Sequence, residues 1–139
     1  MSDTLSTCTN RVMAFFRHLD DRDYEALTAL MAPHATWHRQ GAVLQGHQQV
    51  HDALMKRPPH MRIHHLITNL VADRYDEDTC VMRAYMVVVR HQSDTALPGP
   101  APLAGIESIR TTHIDLKRVD AQWFILTMRN DEPSFLATA

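Results

Sequence analysis

Helical periodicity early in the chain and strand periodicity later predict an α+β domain: a cone-shaped, curved antiparallel sheet wrapped around three N-terminal helices, with a central pocket. Three observations carry this expectation. Apolar residues recur at three- and four-residue spacing only before Pro58, and Val-rich alternation takes over from Met61. The length of 139 residues, 45% hydrophobic and 22% charged, supplies one core and leaves no room for a second ordinary domain, so residues 1–139 are read as one unit.

Asp3 or Thr4 can cap a first helix whose stripe is Leu5, Cys8, Val12, Phe15, Phe16 and Leu19. Asp20-Asp21-Arg22-Asp23 interrupts the pattern. Tyr24, Leu27, Leu30 and Met31 restart it as a short second helix, with Asp23 as cap and Pro33 as stop. Ala35–Arg39 is a short strand ended by Gly41. Gly46 opens a third helix, His47–Lys56, stopped by Pro58-Pro59. Long strands follow at Met61–Arg74, Thr79–Gln92, Glu107–Val119 and Gln122–Arg129, the last two joined by a tight Asp120-Ala121 turn. Between the second and third lies a Pro-rich segment, Ser93–Gly105, longer than a hairpin needs: a flap, an interface loop or a disordered one.

Composition removes several function classes. Fourteen Lys and Arg against sixteen Asp and Glu are interspersed, so no basic block tracks a nucleic acid. No apolar run approaches the ~20 residues that span a bilayer, so no membrane partner is expected. Met1-Ser2-Asp3-Thr4 lacks the layout of a leader. Cys8 and Cys80 stand alone, without metal or redox spacing, which implies a reduced, cytoplasmic protein. The strand around Cys80–Arg90 is apolar on both faces. A monomeric antiparallel sheet usually wets one face, so a homodimer through the outer sheet face is expected.

The compositional outlier is histidine, with ten residues. On the strand from Met61, one face carries Met61, Ile63, His65, Ile67, Asn69 and Val71, and is the more apolar. His65 and Asn69 are polar intruders there: either satisfied structural groups or groups aimed into the pocket. His91, in register with Tyr85, Val87 and Val89, is either a second imidazole at the pocket mouth or an exposed strand end. Asp20 is either a turn former or a carboxylate facing the pocket. His47 and His51 share a helix face but lack a third ligand, and His34/His38 and His60/His64 fall partly on strands, where the same spacing spans ~13 Å. No metal site follows. No nucleophile elbow, phosphate loop or dinucleotide fingerprint is present, and no cofactor is implied.

The run Leu19-Asp20-Asp21-Arg22-Asp23-Tyr24-Glu25-Ala26-Leu27 with Leu30-Met31-Ala32-Pro33 resembles the opening of SnoaL-like domains. So do Trp37-His38-Arg39-Gln40-Gly41, Leu44-Gln45-Gly46, His64-His65-Leu66-Ile67-Thr68-Asn69 and the closing Trp123-Phe124-Ile125. The resemblance to this branch of the nuclear transport factor 2-like superfamily covers nearly the whole chain. It implies the α+β cone, a deep pocket and usually a dimer. Within the superfamily the chain is similar to scytalone dehydratase and polyketide cyclase-type members. That similarity implies Asp20, His65 and His91 as a catalytic set. The two tyrosines that position water in the dehydratase fall on Leu19 and at or near Arg39, so neither is retained.

Such a set would work as a cofactor-independent acid–base pair, eliminating water or relocating a proton. A lining of Trp37, His38, Ile63, Ile67, Asn69, Tyr85, Val89 and Met128 would favour a small hydrophobic, ring-bearing substrate. The alternative is a non-catalytic domain that binds a small molecule or a protein. The small subunit of a ring-hydroxylating oxygenase shares the fold and ranks last. Whether His64 or His65 faces inward hangs on register, since a one-residue slip exchanges them.

Overall fold

The first helix, α1 (Thr4–Asp21), begins where Asp3 turns its carboxylate onto the backbone N–H of Leu5 at 3.0 Å. The computed structural model describes residues 3–138; Met1 and Ser2, read above for a leader, lie outside the described residues, as does Ala139. The stripe of Cys8, Val12, Phe15, Phe16 and Leu19 is buried, as its spacing requires. Arg22 ends α1 in the left-handed conformation, φ +59°, and its N–H reaches back to the carbonyls of His18 and Leu19. Helix α2 (Tyr24–Ala29) is capped by Asp23, which accepts from the N–H of Ala26.

Strand β1 (Met31–Arg39) starts four residues earlier than the sequence suggests, and Pro33 lies inside it rather than closing a helix. The ladder explains why this is tolerated. β1 pairs with β6 (Gln122–Asn130) at Met31 and again from Thr36, and the register shifts between those points. Pro33 falls in that gap, where its missing N–H breaks no ladder bond. A two-residue turn, Gln40-Gly41 with both φ positive, folds β1 onto β2 (Ala42–Gln45), a strand the sequence reading did not resolve. Helix α3 (Gly46–Met55) follows directly.

The long strands are β3 (Met61–Tyr75), β4 (Thr79–Gln92) and β5 (Ser108–Val119). With β6 and the two-residue β7 (Phe135–Leu136) they complete a seven-stranded open sheet of order β2-β1-β6-β5-β4-β3, β7 pairing with β5. The sheet is mixed rather than wholly antiparallel, because β1 and β6 run parallel. The two are separated by α3 and four strands, a connection long enough to return β6 in the same direction. Residues 93–107 carry no regular structure.

The three helices cover one face of the sheet, and the core between them includes Phe15, Leu27, Leu54, Met82, Ile114 and Ile125. Phe15 sets its ring edge-on to Trp37 at 5.2 Å, which ties α1 to β1. Cys8 and Cys80, isolated in sequence, are both buried free thiols in this core and neighbour one another. Burial first, and the neighbouring Cys80 second, push the Cys8 thiol up to about 12. Among the described residues no helix is long and apolar enough to cross a membrane.

Candidate active site

The end of α1 is fixed by two arginines before any chemistry is considered. Arg22 donates from Nη2 to the carbonyls of Pro58 (2.6 Å) and Met61 (2.9 Å), and Arg57 donates from Nη1 to the carbonyl of Leu19 (2.8 Å) and the Tyr24 hydroxyl (3.1 Å). These bonds lock the last turn of α1 against the start of β3. Asp20 therefore lies beside His65. Its Oδ1 is 2.5 Å from His65 Nδ1, and its Oδ2 accepts the backbone N–H of His65 at 2.9 Å.

The pair is largely withdrawn from water, its side chains 9% and 11% exposed. An ionised carboxylate only accepts, so the proton of the neutral ring sits on Nδ1 and the lone pair on Nε2. The Phe16 ring lies 5.8 Å from the imidazole and limits its rotation. His64 is exposed, so the register places His65 inward.

His65 lines a cavity of about 810 Å³ between the helices and the sheet. Its apolar wall includes Phe16, Leu19, Trp37, Ile63, Val88 and Met128. Across the sheet, His65 pairs with Val88, which pairs with Ser108; Ile63 pairs with Arg90, and Met86 with Arg110. The inner face of β4 is thus its even-numbered set. Of the expected lining residues, Trp37, Ile63 and Met128 border the cavity.

Six other expected residues do not. His91, Tyr85 and Val89 occupy the odd-numbered face of β4, opposite Arg62, Thr68 and His64, and point away from the cavity. With both faces of β4 apolar, hydropathy could not select between them. His38 is exposed because β1 alternates and Trp37 takes the inner position. Asn69 is exposed at φ +53°, in a bulge between Thr68 and Val71. The extra residue flips the rest of β3, so Leu70 and Ala72 pack on the core while Val71 is 46% exposed. Ile67 packs against the core without bordering the cavity.

What the sequence reading missed is basic. Arg39, Lys56, Arg57, Arg90 and Arg110 all border the cavity, against a single bordering carboxylate, Glu107, which pairs with Arg90 at 2.5 Å. The signal was present in the two-residue steps Trp37–Arg39 and Val88–Arg90, which put a guanidinium one pleat beyond each apolar wall residue. His47 and His51 are drawn into the fold. His47 Nε2 lies 2.8 Å from the Met31 carbonyl oxygen, and the His51 ring sits edge-on to Tyr24 at 6.4 Å. Among the described residues no three His, Cys, Asp or Glu side chains group as a metal set.

Comparison with known proteins agrees with this architecture. The SnoaL-like domain is matched over residues 5–129. No curated protein matches the chain significantly. Among solved structures, a nuclear transport factor 2-like protein with a cystatin-like fold from Novosphingobium aromaticivorans is 16% identical, with a TM-score of 0.72 over 90% of this chain and 79% of that one. A protein of the same organism provisionally assigned as a scytalone dehydratase is also 16% identical, at TM-score 0.71 over 97% and 89%. A Catenulispora acidiphila protein solved in complex with S-DNPA is 15% identical, at TM-score 0.71 over 91% and 90%. At these identities the likeness establishes the fold.

Proposed function

The chain belongs to the SnoaL-like family, and from that premise we propose that it is a cofactor-independent acid–base enzyme of the dehydratase, isomerase or cyclase type, acting on a small cyclic substrate. The observation that carries this is the two-point contact of Asp20 with the backbone and ring of His65 at a cavity wall. Asp20 holds the tautomer and supports the ring once it is protonated. Nε2 removes a proton from a carbon beside a carbonyl. The C–H electron pair forms the new double bond as the C–O bond to a neighbouring hydroxyl breaks. That hydroxyl departs as water with the proton returned from Nε2. His65 takes both proton-transfer roles, since His91 lies on the other face of the sheet. A cavity of this volume suits one small ring system. The paired free thiols Cys8 and Cys80 favour a reducing, cytoplasmic setting.

The test is proton exchange and dehydration on a panel of hydroxylated tetralones in D₂O, followed by NMR. The native protein should catalyse exchange at the carbon beside the carbonyl, and His65→Ala should lose roughly 10²–10⁴-fold of it. Exchange that is unchanged in His65→Ala, or no catalysis on any panel member, overturns the reading.

The outer sheet face is proposed to bind a second copy of the chain. Leu66, Val71 and Tyr85 stand there 46–49% exposed, continuous with Val87 and Val89. Sedimentation should give a dimer that Leu66→Lys converts to monomer; a native monomer sinks the proposal.

A further inference from the structure

The cavity carries more positive charge than its own walls neutralise. Among the described residues no carboxylate lies within ion-pair distance of Arg39, Arg57 or Arg110. Arg57 is the strongest case. Only 8% of it is exposed, it borders the cavity, and its Nε is buried with no acceptor. Its Nη1 reaches only a carbonyl and a phenol, neither of which neutralises a guanidinium. Arg39 reaches only the Gln40 amide at 3.4 Å and the face of Trp37, 5.6 Å from the ring centre. Burial, and then the Arg57 charge, pull the Arg39 guanidinium below its ordinary range, so the two cations feel each other. A buried and a half-buried like charge without a counter-ion are unfavourable neighbours. An oxyanion between them reverses the sign, and the planar fork of each guanidinium suits its oxygens.

We propose that the cavity binds an organic anion, its oxyanion group held by Arg39 and Arg57 and its apolar body laid along Trp37 and Met128 toward His65. The placement fits the topology. β1, which carries Arg39, is four strands from β3, which carries His65; a flat sheet would hold them ~19 Å apart. Curvature brings both to one cavity, with Arg57 entering from the α3–β3 connection. Trp37 and Met128 are paired in register on β1 and β6 and start an apolar wall beside Arg39, which Val88 of β4 continues next to His65. The occupant's being a substrate rests on the acid–base reading above; its charge rests on the arginines alone.

Binding of 2-naphthoate, 2-naphthyl phosphate and neutral 2-naphthamide to the full chain, followed by calorimetry, tests this. At least one anion should bind tenfold or more tightly than the amide, and the better of the two identifies the headgroup as carboxylate or phosphate. Arg39→Gln should remove that preference while leaving amide binding unchanged, and Arg57→Gln should do the same if it folds. His65→Asn should leave it intact, which separates this inference from the acid–base reading. Anions that bind no better than the amide, or a preference that survives Arg39→Gln, overturn it whatever becomes of catalysis.

Discussion

The two ends of the cavity differ in how completely their polar groups are used. At the α1–β3 end both oxygens of Asp20 are engaged, and the N–H groups they accept both belong to His65. Among the described residues Nε2 has no hydrogen-bond partner, and His65 borders the cavity. At the β1 end Arg39 has no anionic partner, and Arg57, anchored by Nη1 to the end of α1, carries a buried Nε without an acceptor. A satisfied network fixes geometry, whereas an unsatisfied one waits for a ligand. The contrast teaches that one end is built to hold a proton carrier still and the other to receive charge from outside.

The largest expected effect breaks the first end. His65→Ala removes the proton carrier, at the roughly 10²–10⁴-fold loss given above. Asp20→Asn should cost about 10–100-fold, because an amide can still touch the ring but no longer dictates its tautomer or supports its charge. Turnover in Asp20→Asn within about twofold of native would mean that the carboxylate is structural only. Either loss should come with a preserved melting transition, since Arg22 and Arg57 continue to hold α1 against β3.

Next comes a contrast between two arginines of equal charge. Arg57→Ala leaves the Leu19 carbonyl and the Tyr24 hydroxyl without their donor, and should destabilise the fold by about 2–3 kcal/mol. Arg39→Gln loses a stacking contact with Trp37 worth about 0.5–1 kcal/mol, but sheds a partly desolvated charge repelled by Arg57. The two terms oppose, so stability should change by less than about 0.5 kcal/mol while anion affinity collapses. Chemical denaturation of both variants checks this. Equal destabilisation would make Arg39 a structural residue and erase the contrast.

Legibility in the sequence followed the same division. Helix α1, with its Asp3 cap and five-residue buried stripe, was readable because periodicity and capping act locally. The inward side of His65 was readable because Ile63 and Ile67 flank it on a face more apolar than its opposite. β4 offers no such asymmetry, so hydropathy does not reveal that His91, Tyr85 and Val89 take the outer face. The bulge at Asn69 has no local signature beyond an asparagine that tolerates positive φ. The arginine end was missed for a different reason. Arg39, Arg57, Arg90 and Arg110 come from four separate segments, and each alone reads as a solvated charge.

The smallest expected effect lies in the core between α1 and β4, where Cys8 neighbours Cys80. The Cys8 thiol has an ordinary value of 9.0 and is pushed up to about 12 in the fold, by burial and by Cys80. The unfolded chain therefore ionises Cys8 from about pH 9, while the folded chain keeps it protonated. Unfolding releases a proton there, so the contribution is fully present below pH 9 and declines as pH rises toward about 12. Tyr and Lys residues titrate in the same range, so the informative quantity is the difference from Cys8→Ala. That variant leaves a small cavity, and should be the less stable of the two at neutral pH. The gap should narrow steadily from pH 9 upward, because only the native chain carries the titrating thiol. A gap independent of pH would show that Cys8 ionises equally in both states, and that the core at α1–β4 is wetter than its packing implies.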